Sequence, residues 1–290
     1  ERYKAFKLFT QSNIHETDIL YDNYIFNDLH VNYNFFVTGS DQVWHPFIEN
    51  KPLYFLTFAP KEKRIAYAPS FGVAELPESC FEEYKKYISE IPHLSVREQS
   101  GADIIKKLTG REAAVLVDPT LMLTKEKWIS VSKPAMHKPT GRYLLTYFLG
   151  KLSDDAKKLI KTISVNNNLE VVQLASFKDK KRFSADPAEF IDYVNSSDIV
   201  LTDSFHGAVF SILFEKPFIV FDRIHEGPSM ITRVETLLSK FKLESRRWQN
   251  IKDKKINDLF EIDFSHVPSI LEAERKKAID FLKVALSESR

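Results

Sequence analysis

Short apolar strands alternate with helices through the second half of this chain, and this alternation constrains the fold more than any other feature. Apolar runs at 143–148, 169–174, 198–202 and 217–221 are separated by segments with helical spacing. One of these helices opens at Asp186-Pro187, a capping residue followed by proline. Strands and helices joined by short loops build a parallel sheet flanked by helices. The sequence therefore predicts a Rossmann-like domain here.

The first half carries the same kinds of element in a less regular order. Strands are predicted at 34–39, 64–68, 93–97 and 113–117, and helices at 2–9, 81–91 and 100–108. A polar, proline-bearing stretch at 132–141 separates the halves. We predict an N-terminal α/β domain at 1–135, a Rossmann-like domain at 136–268, and a C-terminal helix at 269–290 that could pack back on the first domain.

The composition is that of an ordinary globular protein. The formal net charge is +1, so no strong positive field indicates a nucleic-acid partner. The single cysteine, Cys80, cannot form an internal disulfide, which favours a reducing compartment. No apolar run approaches the ~20 residues that a transmembrane helix needs. We therefore predict a cytoplasmic protein without a transmembrane segment.

Polar residues follow the predicted strand at 198–202, where a helix begins. In open parallel sheets, ligands bind beyond the carboxyl ends of the strands, and a helix N-terminus attracts anions. His206 could donate to a phosphate or carboxylate or transfer a proton, and Gly207 would allow close approach of a ligand or chain. The alternative is that Asp203 and Ser204 only cap the helix while His206 packs in the core. Several polar groups at one junction favour a functional site.

The segment Gly39-Ser40-Asp41-Gln42-Val43-Trp44 repeats this arrangement in the first half. It could hold a ligand hydroxyl or an anion. The alternative is that Ser40 or Asp41 caps a helix. Ser70 follows another strand, where a role in a turn is at least as well supported as ligand contact.

Two arginines stand where anions could bind. Arg97 lies at a strand end before a helix, and its planar guanidinium suits phosphate or carboxylate. The alternative to anion binding by Arg97 is an ion pair with Glu98 at the protein surface. Arg233 lies early in a helix predicted at 231–241, with surface exposure as its alternative.

Metal and nucleophile motifs are absent from the sequence. The histidines are scattered, without H-x-x-E-H or C-x-x-C spacing. G-x-S-x-G, Walker and G-x-G-x-x-G patterns are also missing. We therefore predict no metal and no bound cofactor, which leaves anion binding with acid–base help from histidine.

Taken in order, these segments resemble the polysaccharide pyruvyl transferase family over roughly residues 2–243. The matching segments are Gly39–Trp44, Ala66–Gly72, Leu94–Glu98, Val117–Leu121, Thr202–Ser211, Lys216–Phe218 and Thr232–Val234, with Leu237-Leu238. Each is short, but chance does not readily place so many in register.

The resemblance implies transfer of the enolpyruvyl group of phosphoenolpyruvate onto a pair of sugar hydroxyls, which gives a pyruvate ketal and phosphate. It implies two Rossmann-like domains facing a cleft, as in glycosyltransferase-B enzymes, and no metal. The expected acceptor is a lipid-linked oligosaccharide, used for bacterial exopolysaccharide assembly at the inner face of the membrane.

The resemblance also suggests roles for individual residues. His206 would protonate the methylene carbon or help to bind the donor, and Asp41 would face the acceptor as a base. The residues expected to bind the donor are Arg97, Ser204, Gly207, Lys216 and Arg233, and those expected to bind the acceptor are Ser40, Gln42 and Ser70.

The chain departs from the family pattern in two respects. Some relatives carry an arginine two residues before the motif histidine, where this chain has Ser204. The family's opening strand and Asn-Tyr-Gly loop are also unmatched, so we expect the first sheet to lack a strand. Two alternatives stay open: a glycosyltransferase that reads a sugar nucleotide with Glu226 or Glu235, and a non-catalytic carbohydrate-binding relative.

Overall fold

The computed structural model describes residues 2–17, 29–227 and 229–287. It divides the chain into two compact units, each built from separate stretches of sequence. The N-sheet unit comprises Asp18–Met122, Pro228–Lys240 and Ser269–Arg290, and the C-sheet unit comprises Glu1–Thr17, Leu123–Gly227 and Phe241–Pro268. Each unit contains a four-stranded sheet, and all strand pairs are parallel. The predicted α/β class with two Rossmann-like sheets is therefore confirmed.

The helices and strands of the described residues follow one another in a regular order. The helices are α1 (Arg2–Asn13), α2 (Leu29–Asn32), α3 (Lys51–Tyr54), α4 (Phe81–Ser89), α5 (Gln99–Thr109), α6 (Lys125–Val131), α7 (Asp154–Asn167), α8 (Lys180–Phe183), α9 (Pro187–Ser196), α10 (Phe205–Leu213), α11 (Thr232–Lys240), α12 (Trp248–Ile251) and α13 (Val267–Ser287). The strands are β1 (Phe36–Thr38), β2 (Arg64–Ala66), β3 (His93–Val96), β4 (Ala114–Val115), β5 (Tyr143–Tyr147), β6 (Glu170–Leu174), β7 (Ile199–Thr202) and β8 (Phe218–Val220).

Each predicted strand is present, and each is shorter than predicted. The predicted helices are present as well, and α9 begins as expected: Asp186 and Glu189 form a reciprocal capping box ahead of Pro187. The sequence analysis missed α6 and the single-turn helices α2, α3, α8 and α12. These are short, so they leave little periodic signal. None of the described helices combines the length and apolar character needed to cross a membrane.

The N-sheet unit orders its strands β1-β2-β3-β4. Its core is rich in aromatic side chains. Trp44 stacks on Phe55 with 4.8 Å between ring centroids, and both are fully buried with Phe71 and Tyr84. Because the strands are parallel, the residues that follow them meet at one edge of the sheet.

The C-sheet unit orders its strands β6-β5-β7-β8. Leu144, Leu201 and Ile219 are fully buried in its core. The register pairs Tyr147 of β5 with Leu174 of β6 on one side and with Thr202 of β7 on the other. The carboxyl ends of these three strands therefore lie side by side, and this edge carries the site described below.

The sequence-based domain ranges differ from this division in three places. The first boundary lies between Met122 and Leu123 rather than between 135 and 136, α1 belongs to the C-sheet unit, and α11 belongs to the N-sheet unit. α1 packs on α9, and Arg2 Nη1 donates to Phe183 O at 3.2 Å. Contacts between segments distant in sequence, which local patterns do not reveal, determine this membership.

The last helix contacts the end of the first sheet. From Ser269 onward the chain belongs to the N-sheet unit. Within it, Arg275 Nε donates to Leu121 O at 2.8 Å, and Lys277 Nζ donates to Val115 O at 3.0 Å. These contacts join α13 to β4 and to the segment that follows it.

We expect Asp186→Ala to lower the free energy of unfolding by about 1 kcal/mol, because the Glu189 N–H loses the cap that accepts it. In the native protein Asp186 Oδ1 lies 2.9 Å from that nitrogen. Urea unfolding measures the change. Asp154→Ala, which removes an exposed first-turn carboxylate while leaving the Ser153 cap of α7 intact, serves as the control. Equal losses in both variants would contradict the capping account.

Candidate active site

Short polar contacts build the turn between β7 and α10. Ser204 Oγ accepts from Gly207 N at 3.3 Å and caps the helix, while Ser204 N donates to Thr202 Oγ1 at 2.9 Å. Gly207 packs against Thr202, since a Cβ at Gly207 would lie 2.4 Å from Thr202 Oγ1. The geometry thus gives Ser204 the capping role and explains Gly207 by the close approach of helix and strand. A donor contact by either residue stays a prediction.

Asp203 does not cap α10, contrary to the alternative considered for it. Its carboxylate accepts from Leu149 N and Gly150 N, each at 2.8 Å. Arg223 Nη2 donates to Asp203 O at 3.3 Å, and Arg223 Nε lies 3.7 Å from Asp203 Oδ2. Asp203 is buried, so it holds the loop after β5 against the start of α10.

His206, the second residue of α10, is half-buried and lines a cavity of about 270 Å³. We call this space the His206 cavity. Its lining includes Arg2, Phe6, Tyr147, Leu174, Ala175, Arg182, Phe183, Asp186, Phe190 and His206. Tyr147 and Leu174 end their strands here, so the cavity lies at the carboxyl edge of the C-sheet. Ligands bind at this edge in open parallel sheets, and binding of a ligand by His206 stays a prediction.

Lys216 does not share this edge, which contradicts its predicted place with His206 in the donor site. It precedes β8, whereas Ser204 follows β7, and the two strands are parallel. The two residues therefore lie at opposite edges of the sheet. Partial burial lowers the pKa of Lys216, and the positive charge of Lys125 lowers it further. The negative charge of Asp198, which precedes β7, raises it.

Arg97 is the centre of a buried cluster in the N-sheet unit. Its Nη1 donates to Asp118 Oδ2 at 2.7 Å and its Nη2 to Asp41 Oδ1 at 3.4 Å. Ser40 Oγ lies 2.8 Å from Asp118 Oδ2. Residues that follow β1, β3 and β4 are thereby tied together. The alternative of a surface pair with Glu98 is wrong, because the Arg97 side chain is only 1% exposed and pairs with Asp118.

Asp41 is the accessible carboxylate of this cluster, with 64% of its side chain exposed. Arg233 Nη1 lies 3.9 Å from Asp41 Oδ1, so two guanidinium groups approach one carboxylate. The Arg233 side chain is 5% exposed, and surface exposure is therefore wrong for this residue. Gln42 Nε2 lies 3.0 Å from Met230 Sδ beside the same cluster.

Ser70 is fully buried, which contradicts its predicted contact with an acceptor. Its Oγ donates to Glu98 Oε1 at 3.0 Å, and Phe71 N and Gly72 N donate to the same oxygen at 2.8 and 3.1 Å. Among the described residues, Glu98 Oε2 has no hydrogen-bond partner. Burial raises the pKa of Glu98, against the opposing effect of Arg97 and the hydrogen bonds from Gly72, Ser70 and Phe71.

Across the part of the chain that the structure describes, no group of three or more His, Cys, Asp or Glu side chains is arranged to hold a metal ion.

A sequence model of the family described as "Polysaccharide pyruvyl transferase" matches residues 1–225. The chain belongs to the polysaccharide pyruvyl transferase family.

Other comparisons add the fold but no closer relative. A search of curated proteins finds no match to this pyruvyl transferase family member. Among solved structures, it is similar to a candidate UDP-N-acetylglucosamine 2-epimerase from Listeria monocytogenes, with a TM-score of 0.55 and 12% identity over 99% of this chain and 80% of that one. The similarity confirms the predicted glycosyltransferase-B-like fold class and, at this identity, shows the fold alone.

The sequence analysis missed several residues around the His206 cavity of this family member. Tyr147 could have been found, since it ends a predicted strand beside the strand that leads to His206. Arg2 and Phe6 left no such signal. The hydrogen bond that brings Arg2 to the cavity spans 181 residues of sequence to Phe183.

We expect Arg97→Met to lower the free energy of unfolding by about 3 kcal/mol, because removing one partner leaves the buried Asp118 carboxylate without its countercharge. Chemical denaturation followed by circular dichroism measures this. Arg142→Met removes an arginine whose ion pair with Asp198 is exposed, and we expect a much smaller loss there. A loss at Arg97 no greater than that at Arg142 would show that the buried pair is not structural.

We expect the stability difference between the native protein and Glu98→Gln to depend on pH. The raised pKa of Glu98 means that the folded state holds the proton to higher pH than the unfolded state. The contribution of Glu98 to the free energy of unfolding is therefore complete below the ordinary pKa of 4.5. It is lost as the pH rises through the pKa that Glu98 has in the folded state. Urea unfolding between pH 4.5 and 7, with the exposed Glu112→Gln as control, should show the native protein gaining on Glu98→Gln as pH falls. A constant difference would refute this assignment.

Proposed function

We propose that this pyruvyl transferase family member moves the enolpyruvyl group of phosphoenolpyruvate onto two hydroxyls of a sugar in a polysaccharide precursor. The observation that supports this most is the position of His206. Its imidazole lies at the N-terminus of α10, where helix N–H groups attract anions, and it lines a cavity beside cationic and aromatic side chains. Such a position suits a proton donor to an anionic substrate.

In the proposed reaction, protonated His206 gives its proton to the C3 methylene carbon of phosphoenolpyruvate. One sugar hydroxyl oxygen bonds to C2, phosphate leaves with the electrons of the C2–O bond, and the second hydroxyl oxygen closes the ketal. The two hydroxyls release two protons. One restores the protonated imidazole and the other goes to the phosphate. Asp41 is proposed as the base for the hydroxyl protons, on the grounds of its exposed carboxylate.

The acceptor and setting follow from the family rather than from the site. We propose a lipid-linked oligosaccharide as the acceptor and the cytoplasmic face of a bacterial membrane as the location. No metal or cofactor enters the proposed chemistry. A second candidate is a transferase of the same fold class that uses a sugar nucleotide; the similarity to the candidate UDP-N-acetylglucosamine 2-epimerase concerns the fold and not the activity.

Calorimetric titration of phosphoenolpyruvate and of UDP, in parallel, tests the proposal. We expect phosphoenolpyruvate to bind and His206→Ala to weaken it at least tenfold, because a charge-assisted hydrogen bond is lost. His137→Ala, an exposed histidine of the same unit, is the matched control and should bind as the native protein does. Binding of UDP without phosphoenolpyruvate would favour the sugar-nucleotide reading instead.

A rate measurement separates chemistry from binding. With methyl glycosides of common hexoses as acceptors, release of phosphate from saturating phosphoenolpyruvate should fall about 100-fold or more in His206→Ala, as expected when a general acid is removed. Full phosphate release from His206→Ala would leave the proposed acid role without support.

A further inference from the structure

Two arginines, Arg2 and Arg182, line the His206 cavity, and they differ in the partners that they have among the described residues. Arg182 donates to Asp179 Oδ2, Glu170 Oε1 and His137 O at 2.9, 2.6 and 2.9 Å, so two carboxylates neutralise its guanidinium. Asp186, the carboxylate of the cavity wall, pairs with Lys133 and caps α9. These charges are balanced and are not available to a ligand.

Arg2 differs from both. Its Nη1 donates to Phe183 O at 3.2 Å, and its guanidinium carbon lies 4.8 Å from the centre of the Phe183 ring and 5.2 Å from that of Phe6. Among the described residues, no carboxylate forms an ion pair with it. Aromatic faces hold the plane of a guanidinium without neutralising its charge. Arg2 is therefore a pre-oriented cation with donors to spare at the cavity.

Tyr147 supplies a second donor to the same space. Its hydroxyl has no hydrogen-bond partner among the described residues, and its ring lies 5.1 Å from that of Phe190. Burial and the negative charge of Asp203 raise the pKa of Tyr147, burial being the larger cause, and the positive charges of Arg2 and Arg223 act in the other direction. The hydroxyl stays protonated and can donate to an anion.

We propose that Arg2, together with Tyr147 and His206, binds the phosphate or carboxylate of phosphoenolpyruvate in the His206 cavity. The inference rests on the proposed function for the identity of the ligand. A cavity of about 270 Å³ admits a molecule of about ten non-hydrogen atoms. The rings of Phe183 and Phe190 and the side chain of Leu174 form an apolar wall for the methylene carbon. Helix α1 thus contributes a ligand-binding residue to the C-sheet unit.

Titration of phosphoenolpyruvate into Arg2→Met and Arg2→Lys of the full chain tests the inference. Methionine keeps much of the length and the contact with Phe183 but removes the charge, and we expect affinity to fall about tenfold to a hundredfold. Lysine keeps the charge but lacks the planar guanidinium, so the affinity of Arg2→Lys for phosphoenolpyruvate should lie between those of the native protein and Arg2→Met. Lys7→Met, on an exposed position of the same helix, is the matched control and should leave affinity unchanged.

Two further measurements make the outcomes decisive. Inorganic phosphate and pyruvate, titrated separately, show which anionic group Arg2 holds, because only that ligand should lose affinity in Arg2→Met. Far-UV circular dichroism checks that each variant keeps the helix content of the native protein. Native affinity in Arg2→Met, with binding lost in His206→Ala, would overturn the role of Arg2 while the proposed function stood. Absence of phosphoenolpyruvate binding in the native protein would overturn both.

Discussion

A parallel sheet brings the ends of all its strands to one edge, and the polar groups of the loops there must find partners. Both units satisfy this constraint with a buried carboxylate. In the N-sheet unit, Asp118 forms an ion pair with Arg97 and accepts a hydrogen bond from the Ser40 hydroxyl. In the C-sheet unit, Asp203 accepts hydrogen bonds from two backbone N–H groups of a loop. A buried charge left unpaired costs several kcal/mol, so these contacts set the geometry of each edge.

The same constraint decides which polar residues remain for a ligand. Ser204, Ser70 and Arg97 look alike as candidate site residues in the sequence, yet each is used by the fold: one caps a helix, one binds Glu98 and one neutralises Asp118. His206 lines a cavity at the carboxyl edge of the sheet in the C-sheet unit. A motif marks where polar groups gather, and the fold decides which of them line a cavity.

Ser204 stands two residues before the motif histidine, and the arginines that line the His206 cavity come from other parts of the chain. Lys216, the candidate nearest in sequence, lies at the wrong edge because it precedes a parallel strand. Arg2 reaches the cavity because α1 packs on α9, far from it in sequence. A cation can therefore line this cavity from a helix that belongs to none of the matching segments.

The sequence alone predicted the eight strands, the two parallel sheets, the cap at Asp186 and the family. The strands, sheets and cap followed from the alternation of strands and helices and from capping residues, and the family followed from short motifs. These depend on local periodicity and on residues close together in the chain. The membership of α1 and α11, the burial of Ser70 and Arg233, and the walls of the His206 cavity were decided only by the tertiary structure. They depend on contacts between distant segments, whose partners are selected by packing and charge pairing rather than by sequence spacing.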